Sequence, residues 1–378
     1  MVEKTFIAER VLIGDNWVAD QAITVSGGVI SNIGPAAGSD RQASRISGDV
    51  VPGFFDIQVN GGGGVLFNDS PSVEAIEAIG AAHRQYGTTS FLPTLISDDL
   101  DKVRTAIKAV EDAIRRGVPG VVGIHLEGPF LNDAKKGIHD ASKFRQMTSG
   151  DIDLLSALKN GKTLVTLAPE LVKADQIKAL VAAEVVVSAG HTAATYRQAL
   201  ESVAAGVTGF THLFNAMTGF ESRAPGVVGA AFDSAGTWAG LIADGHHVHP
   251  AALRSAIKIK GVDRSILVSD AMPVVGSEKG EFLLGGQLIT AKNGRCCNAD
   301  GVLAGSALDM ASAVRYAALE IGVGLPAAVR MASQSPAEFI GLADTLGLIE
   351  VGKKADFVVL NDKLAVESVY SGGENHGF

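Results

Sequence analysis

The sequence predicts an α/β chain, a (β/α)8 TIM-like barrel carrying a small β-sandwich domain formed by both termini. Three observations lead there. The middle of the chain alternates short apolar runs with amphipathic helical stretches about eight times, the number a closed barrel needs. Both ends read instead as short strands broken by turn residues. Four of the central apolar runs stop on an ionisable side chain, and the C-terminal ends of strands are where barrel enzymes place their sites. A doubly wound open sheet accommodates the same alternation and stands as the alternative.

Taken in order, residues 1–50 hold the runs Phe6-Ile7-Ala8, Val11-Leu12-Ile13, Ala22-Ile23-Thr24-Val25 and Val29-Ile30. Gly14-Asp15-Asn16, Gly27-Gly28 and Gly34-Pro35 break them. Near the other end, Gly352-Lys353-Lys354-Ala355-Asp356 leads into Phe357-Val358-Val359-Leu360. One small β domain, residues 1–52 plus 345–378, joins these ends; two independent flaps are the alternative. Residues 53–344 make the barrel. Its strands are expected at Phe54–Gln58, Thr89–Leu92, Val121–Glu127, Leu164–Ala168, Val185–Gly190, Val207–His212, Ala239–Ala243 and Ile266–Ser269. Helices are expected at Val73–Tyr86, Leu100–Arg116, Ala174–Ala183, Thr195–Ala204, Ala251–Lys260 and Asp309–Ile321. Residues 280–304 interrupt the alternation with hairpin-like runs at Phe282–Leu284, Leu288–Ala291 and Cys296–Cys297.

Composition narrows the function. With 47% hydrophobic and 19% charged residues the chain is globular rather than disordered. A net charge of −9 speaks against nucleic acid as a partner. No apolar run reaches membrane-spanning length, and Met1–Arg10 carries Glu3, Lys4, Glu9 and Arg10 rather than a signal-peptide core. Cys296 and Cys297 are sequence neighbours, an arrangement that rarely forms a structural disulfide and lacks zinc-knuckle spacing. No His lies near them, so catalysis is not expected there. The expectation is a cytoplasmic protein that binds neither membrane nor nucleic acid.

The chemistry gathers at the strand ends. The run Val121–Leu126 stops on Glu127, and Gly128-Pro129 terminates it. A charge at the end of a buried strand needs a partner, either a metal ion or an Arg or Lys. His191, His212 and Asp270 end three further runs. Each alone is weak evidence, because a strand-end His is more often a hydrogen-bonded structural residue than a ligand. On a closed barrel all four converge on the mouth. Glu127, His191 and His212 then form a ligand set for a divalent metal with one position left for water, and Asp270 is placed to accept a proton. His139 adds an imidazole nearby. Arg223 lies in a Gly- and Pro-containing loop, and His246, His247 and His249 cluster after Asp244. An Arg and a His in mouth loops suit a phosphate; a surface salt bridge is the alternative for Arg223, and structural roles for His246 and His249. Gly61–Gly64 is not followed by Gly-Lys-Ser/Thr, so a tight turn is expected rather than a nucleotide-binding loop.

A set of motifs then carries a resemblance. Pro52-Gly53-Phe54-Phe55-Asp56-Ile57-Gln58-Val59-Asn60-Gly61, His125-Leu126-Glu127-Gly128-Pro129, Lys136-Gly137-Ile138-His139 and Ser188-Ala189-Gly190-His191 are followed by Thr211-His212-Leu213-Phe214-Asn215-Ala216-Met217. Ala243-Asp244-Gly245, Val268-Ser269-Asp270-Ala271 and Leu303-Ala304-Gly305-Ser306 complete it. In this order, over almost the whole chain, they resemble the N-acetylglucosamine-6-phosphate deacetylases of the amidohydrolase superfamily. The resemblance implies that Glu127, His191 and His212 hold the metal, that Asp270 is the general base and acid, and that His139 polarises the substrate carbonyl. It implies sugar-phosphate contacts from Asn215, Ala216, Arg223 and His247, and a substrate site lined by Ile138, Leu303, Ala304 and Gly305. It further implies a homodimer in which Arg223 and His247 reach the partner's site. One departure stands out: Gln58 and Asn60 occupy the positions where the wider superfamily often has His-x-His for a second metal. Neutral amides are poor zinc ligands, so one divalent metal per chain is expected, zinc with iron as the alternative. Two other readings remain: an amidohydrolase of cyclic amides or N-acyl amino acids, needing no phosphate clamp, and a non-catalytic sugar-phosphate-binding protein on the same fold.

Overall fold

The computed structural model describes residues 3–36 and 43–377. Eight parallel strands among them follow one another around a sheet in chain order: Phe54–Val59, Thr88–Ile96, Gly123–Glu127, Lys162–Leu167, Val186–Ala189, Gly209–Phe210, Trp238–Leu241 and Ser265–Leu267. The last meets the first. Val59 bridges Ala271 in parallel, Asp270 N–H donates to Gln58 O at 3.0 Å, and Asn60 N–H donates to Ala271 O at 2.9 Å. The sheet is thus a closed barrel and not an open doubly wound one.

Parallel strands covered on both faces read as continuous apolar runs, and Phe54–Val59 is buried at every position. The polar residues inside are paired: His125 sits between Thr94 Oγ1 at 3.2 Å and Thr166 Oγ1 at 2.8 Å. The helix Leu100–Arg116 forms where its apolar period predicts. Val103, Ala106, Ile107, Val110 and Ala113 face inward, and Gly117, at φ +74°, ends it in the left-handed conformation that suits glycine. Helices at Ser149–Leu155, Gly226–Asp233, Leu325–Ala332 and Gln334–Ile340 are not among those named from the sequence. Two are only seven residues long, and Gly226–Asp233 is apolar nearly all round, so it carries no helical period. The helix expected over Asp309–Ile321 is α-helical from Met310 to Tyr316 and then widens to a π-turn over Ala317–Ile321.

The termini build a second β unit of seven strands joined in one sheet: Glu3–Ile13, Asn16–Ser26, Val29–Pro35, Ser44–Pro52, Phe357–Leu360, Val366–Ser371 and Glu374–His376. Ser44–Pro52 is the stitch, parallel to the first strand on one side and antiparallel to Phe357–Leu360 on the other. The runs Phe6–Ala8 and Val11–Ile13 belong to one strand, with a register shift between Ala8 and Arg10 where the polar pair Glu9-Arg10 turns outward. This unit has its own core, in which Phe357 stacks on Tyr370 at 4.5 Å and Phe6 meets both rings edge-on.

The interruption after the last barrel strand is a four-stranded antiparallel sheet over Glu281–Leu284, Gln287–Lys292, Arg295–Cys297 and Leu303–Ser306. Leu284, Ile289, Cys296 and Ala304 pack against Leu66, Ile96 and Met272, which fixes this sheet beside the barrel mouth. Both cysteines are free, and burial pushes the Cys296 thiol up to about 12, consistent with an inert core residue. Gly61–Gly64 makes a tight mouth turn, in which a Cβ on Gly62 would strike the buried His83 ring at 2.8 Å. No helix among the described residues is long and apolar enough to cross a membrane.

Candidate active site

Glu127 ends its strand, while His191, His212 and Asp270 each lie two or three residues beyond theirs. These three residues have positive φ, +47°, +34° and +52°. Non-glycine residues held there are strained, and such strain concentrates at functional sites. Here the turn of the backbone swings each side chain in over the barrel end.

Three donor atoms meet. Glu127 Oε1 lies 3.1 Å from His191 Nε2 and 3.0 Å from His212 Nε2, and the two nitrogens are 3.0 Å apart. The outer atoms explain why these faces point inward. His191 donates Nδ1–H to Lys135 O at 2.8 Å, leaving the Nε2 lone pair toward Glu127. Gln58 Nε2 donates to Glu127 Oε2 at 3.1 Å, leaving Oε1 toward the histidines. Three electron-rich atoms in a buried triangle of this size suit one divalent cation bound at about 2 Å. His139 is a third imidazole nearby, with donor atoms of Glu127, His139 and His191 all within 4.8 Å of one another. Its Nδ1 is occupied, however: Ser97 N–H points to it at 3.4 Å and Ser97 Oγ lies at 2.9 Å. The ring proton therefore sits on Nε2. Burial and the neighbouring His191 push the His139 pKa down to about 3, so it is neutral at pH 7 and presents an N–H donor.

Asp270 faces these groups. Asn60 Nδ2 and Gln58 Nε2 both donate to its Oδ1, at 2.7 and 3.2 Å. Burial and the charge of Glu127 push its pKa up to about 6. That is high for a carboxylate and suits a group that takes and returns a proton near neutral pH.

A cavity of about 110 Å³ joins these residues to Ile138, Asn215, Ala216, His247, Leu303 and Gly305. Strand alternation turns the Ala304 side chain into the apolar cluster with Cys296 and Met272, so Leu303 and Gly305 line the cavity without it. His247 Nδ1 is paired with Asp244 Oδ2 at 2.6 Å, and Asp244 Oδ1 accepts the His246 and His247 backbone N–H groups at 2.8 and 2.9 Å. This anchor holds His247 at the wall of its own chain's cavity. Arg223 is exposed on its loop and does not line the cavity. His249 caps the helix Pro250–Lys260 by accepting Ala251 N–H at 3.1 Å, a structural role. Ser97, Asp244 and the donor function of Gln58 and Asn60 escaped the sequence reading: Ser97 and Asp244 carry no distinctive spacing, and the Gln58-x-Asn60 pair was read only for its poor metal affinity.

The model of the amidohydrolase family matches residues 50–375. The chain belongs to the amidohydrolase family. Among relatives of this amidohydrolase, the N-acetylgalactosamine-6-phosphate deacetylase of Shewanella sp. (strain ANA-3) is 45% identical over 370 residues, covering 97% of this chain and 94% of the relative. The N-acetylglucosamine-6-phosphate deacetylase of Homo sapiens is 38% identical over 349 residues, covering 86% and 82%. The crystal structure of N-acetylglucosamine-6-phosphate deacetylase from Pasteurella multocida superposes with a TM-score of 0.96 at 32% identity over 100% of both chains.

Proposed function

We propose that this amidohydrolase hydrolyses the acetamide of N-acetyl-D-glucosamine 6-phosphate to D-glucosamine 6-phosphate and acetate, a step of amino sugar catabolism and recycling. The observation that carries the reading is the cavity in which the Glu127–His191–His212 triangle, the His139 donor and a carboxylate with a raised pKa face one small space. Glu127, His191 and His212 would hold one divalent ion, zinc or iron. Such an ion supplies a water acidified toward pH 7 and a Lewis acid for the acetyl carbonyl. Gln58 and Asn60 already donate to carboxylates, which argues against a second ion on the first strand.

The chain's own groups do the rest. Asp270 takes a proton from the attacking water and later gives it to the leaving amine, without which an amide does not cleave. His139 donates Nε2–H to the carbonyl oxygen as negative charge develops there, an effect of about 3–4 kcal/mol for a well-placed donor. Asn215, Ala216 and His247 bind the sugar phosphate, with Ile138, Leu303 and Gly305 along the walls. Arg223, exposed in its own chain, completes the phosphate site of a second copy, and the working form is a homodimer. Free cysteines suit a reducing compartment, so we place the enzyme in the cytoplasm.

A second reading differs only at C4 of the sugar. The relative at 45% identity is an N-acetylgalactosamine-6-phosphate deacetylase, which favours the epimer as substrate. Acetate release from both phosphorylated epimers and from unphosphorylated N-acetylglucosamine, with metal content measured on the same sample, tests both. Faster turnover of the glucosamine epimer supports the first reading, and of the galactosamine epimer the second. No acetate from either phosphorylated sugar sinks both.

A further inference from the structure

His139 reaches the cavity from a loop that carries two three-residue 3-10 turns, Asp133–Lys135 and Ala141–Lys143. Side chains on loops are held less precisely than those on strands, so an imidazole that must aim one N–H needs an anchor on the barrel. Ser97 is placed to supply it. It follows the strand Thr88–Ile96, whose last residue lies in register with Glu127. The buried Asn68 amide grips that residue twice: Nδ2 donates to Ile96 O and Oδ1 accepts Ile96 N–H, each at 3.0 Å. Gly128 leaves room for the Ser97 hydroxyl, since a Cβ there would lie 2.2 Å from Ser97 Oγ. Two donors of Ser97 then converge on His139 Nδ1, the N–H at 3.4 Å and the hydroxyl at 2.9 Å. The hydroxyl has a second acceptor in reach, Glu127 O at 3.3 Å. Turned there, its lone pairs would face that of Nδ1; turned to Nδ1, it makes the shorter bond.

We infer that Ser97, held by Asn68, is the positioning residue of His139: its N–H selects the ring tautomer and its hydroxyl fixes the ring's direction. The inference rests on the deacetylase reading above. A backbone N–H can only donate, so a ring proton on Nδ1 would meet it head-on. The proton is left on Nε2, where it serves the acetyl oxygen. The hydroxyl then restrains rotation of the ring about its bond to Cβ. Ser97 acts through His139 and not on the substrate. Charge grows on the acetyl oxygen only as its carbon becomes tetrahedral, so a well-aimed N–H matters in the transition state more than in the bound substrate. The contribution of Ser97 therefore belongs to kcat and not to KM.

The test uses the metal-loaded enzyme and whichever phosphorylated epimer it turns over faster. Ser97→Ala removes the hydroxyl and keeps the N–H. Metal content and KM should stay near wild type while kcat falls by about 3–10-fold, the worth of one neutral hydrogen bond. Ser97→Thr restores a hydroxyl and should recover most of the rate. If Ser97→Ala fails to fold, Ser97→Cys, of similar size with a weaker donor, should show a smaller loss of the same kind. A double-mutant cycle separates this role from a general loosening of the mouth. In a His139→Ala background, Ser97→Ala should cost less than about twofold further, because its partner is gone. An undiminished loss in that background would overturn the inference, and so would an unchanged kcat in Ser97→Ala. Activity lost in step with metal would overturn it too, assigning Ser97 to the metal site through Glu127 O. A wild-type enzyme that releases no acetate from either phosphorylated sugar would sink the parent reading and this inference with it.

Discussion

At the barrel mouth Glu127 is 2% exposed and touches two imidazoles and an amide, whereas on the terminal sheet Arg10 meets Asp49 with half of its side chain in water. Both are short contacts between charged groups, and they do different work. In the mouth, burial raises the cost of an unmatched charge, so both Glu127 oxygens acquire named partners and pKa values move. At the surface, solvent screens the pair and little depends on it. The difference shows where function can be read: from charge that the fold has taken out of water and then oriented.

The sharpest way to break this contrast is Asp270→Asn. The shape is kept and proton exchange is lost, so kcat should fall by about 10²–10⁴-fold with the metal retained. The pH profile adds a sign. Asp270 accepts a proton only when ionised, and burial with the Glu127 charge pushes its pKa up to about 6. Activity should therefore decline as pH drops through that range. A cation on the neighbouring triangle stabilises the ionised form, so the limb of the loaded enzyme lies at or below about 6. The variant's residual activity should show no such limb. Near-normal turnover with metal bound would end the proton-transfer role.

Next in size is Arg223→Ala. A charge-assisted phosphate contact is worth about 1.5–3 kcal/mol, so kcat/KM on the phosphorylated sugar should fall about ten- to hundredfold, with little change on the unphosphorylated one. Hybrid dimers sharpen the point. An Arg223→Ala chain paired with an Asp270→Asn chain should regain one full site if Arg223 acts across the interface. Equal losses on both sugars would remove the phosphate role.

How far the sequence carried these arguments differs by region. The barrel strands and Leu100–Arg116 were legible because burial on both faces, or on one helical face, writes a period into the residues. Glu127, His191, His212 and Asp270 were legible because a polar residue at the end of such a run needs a reason. The left-handed backbones of His191, His212 and Asp270 were not, since His and Asp carry no glycine-like mark of a positive φ. That the Ala304 side chain packs into the core was not legible, because a motif names a strand without saying which of its side chains face the cavity. The placement of His247 turns on Asp244, three residues away in a loop whose hydrogen bonds leave no period.

Asp56 carries the comparison inside the barrel. It is fully buried beneath the mouth, with Oδ1 accepting Gln58 N–H and Ser269 N–H at 3.2 Å each and Oδ2 accepting the Ser269 hydroxyl. Burial pushes its pKa up to about 7. Between about pH 4 and 7 the folded chain keeps this proton while the unfolded chain releases it, so the group lowers stability as pH rises through that window. Asp56→Asn carries no such proton. Its amide oxygen can accept both N–H groups, its nitrogen can donate to Ser269 Oγ, and that hydroxyl can turn to Gln58 O, now 3.3 Å away. The difference in urea midpoint between variant and wild type should therefore move in the variant's favour from pH 5 to pH 8, with turnover nearly unchanged. A difference independent of pH would show that Asp56 is not a protonated core residue.

Arg10→Ala should have the smallest effect. Two features argue for a measurable contribution: Arg10 engages Asp49 through Nε and Nη2, and its guanidinium lies 4.4 Å from the Trp17 ring centroid. Exposure argues the other way, because an ion pair with one partner half in water is worth about 0–1 kcal/mol and an exposed cation–π contact about 0.5–1 kcal/mol. The two share one side chain and are not additive. The expected loss is about 1 kcal/mol or less, shrinking further in molar salt as screening removes the ionic part. Arg10→Lys keeps the charge but not the planar fork, so it should recover less than half of that loss. Neither variant should alter kcat, KM or metal content, since the terminal sheet has its own core and Arg10 touches no residue of the mouth. A loss above about 2 kcal/mol, or any change in turnover, would mean that the surface pair is coupled to the barrel and that the two regions do not follow separate rules.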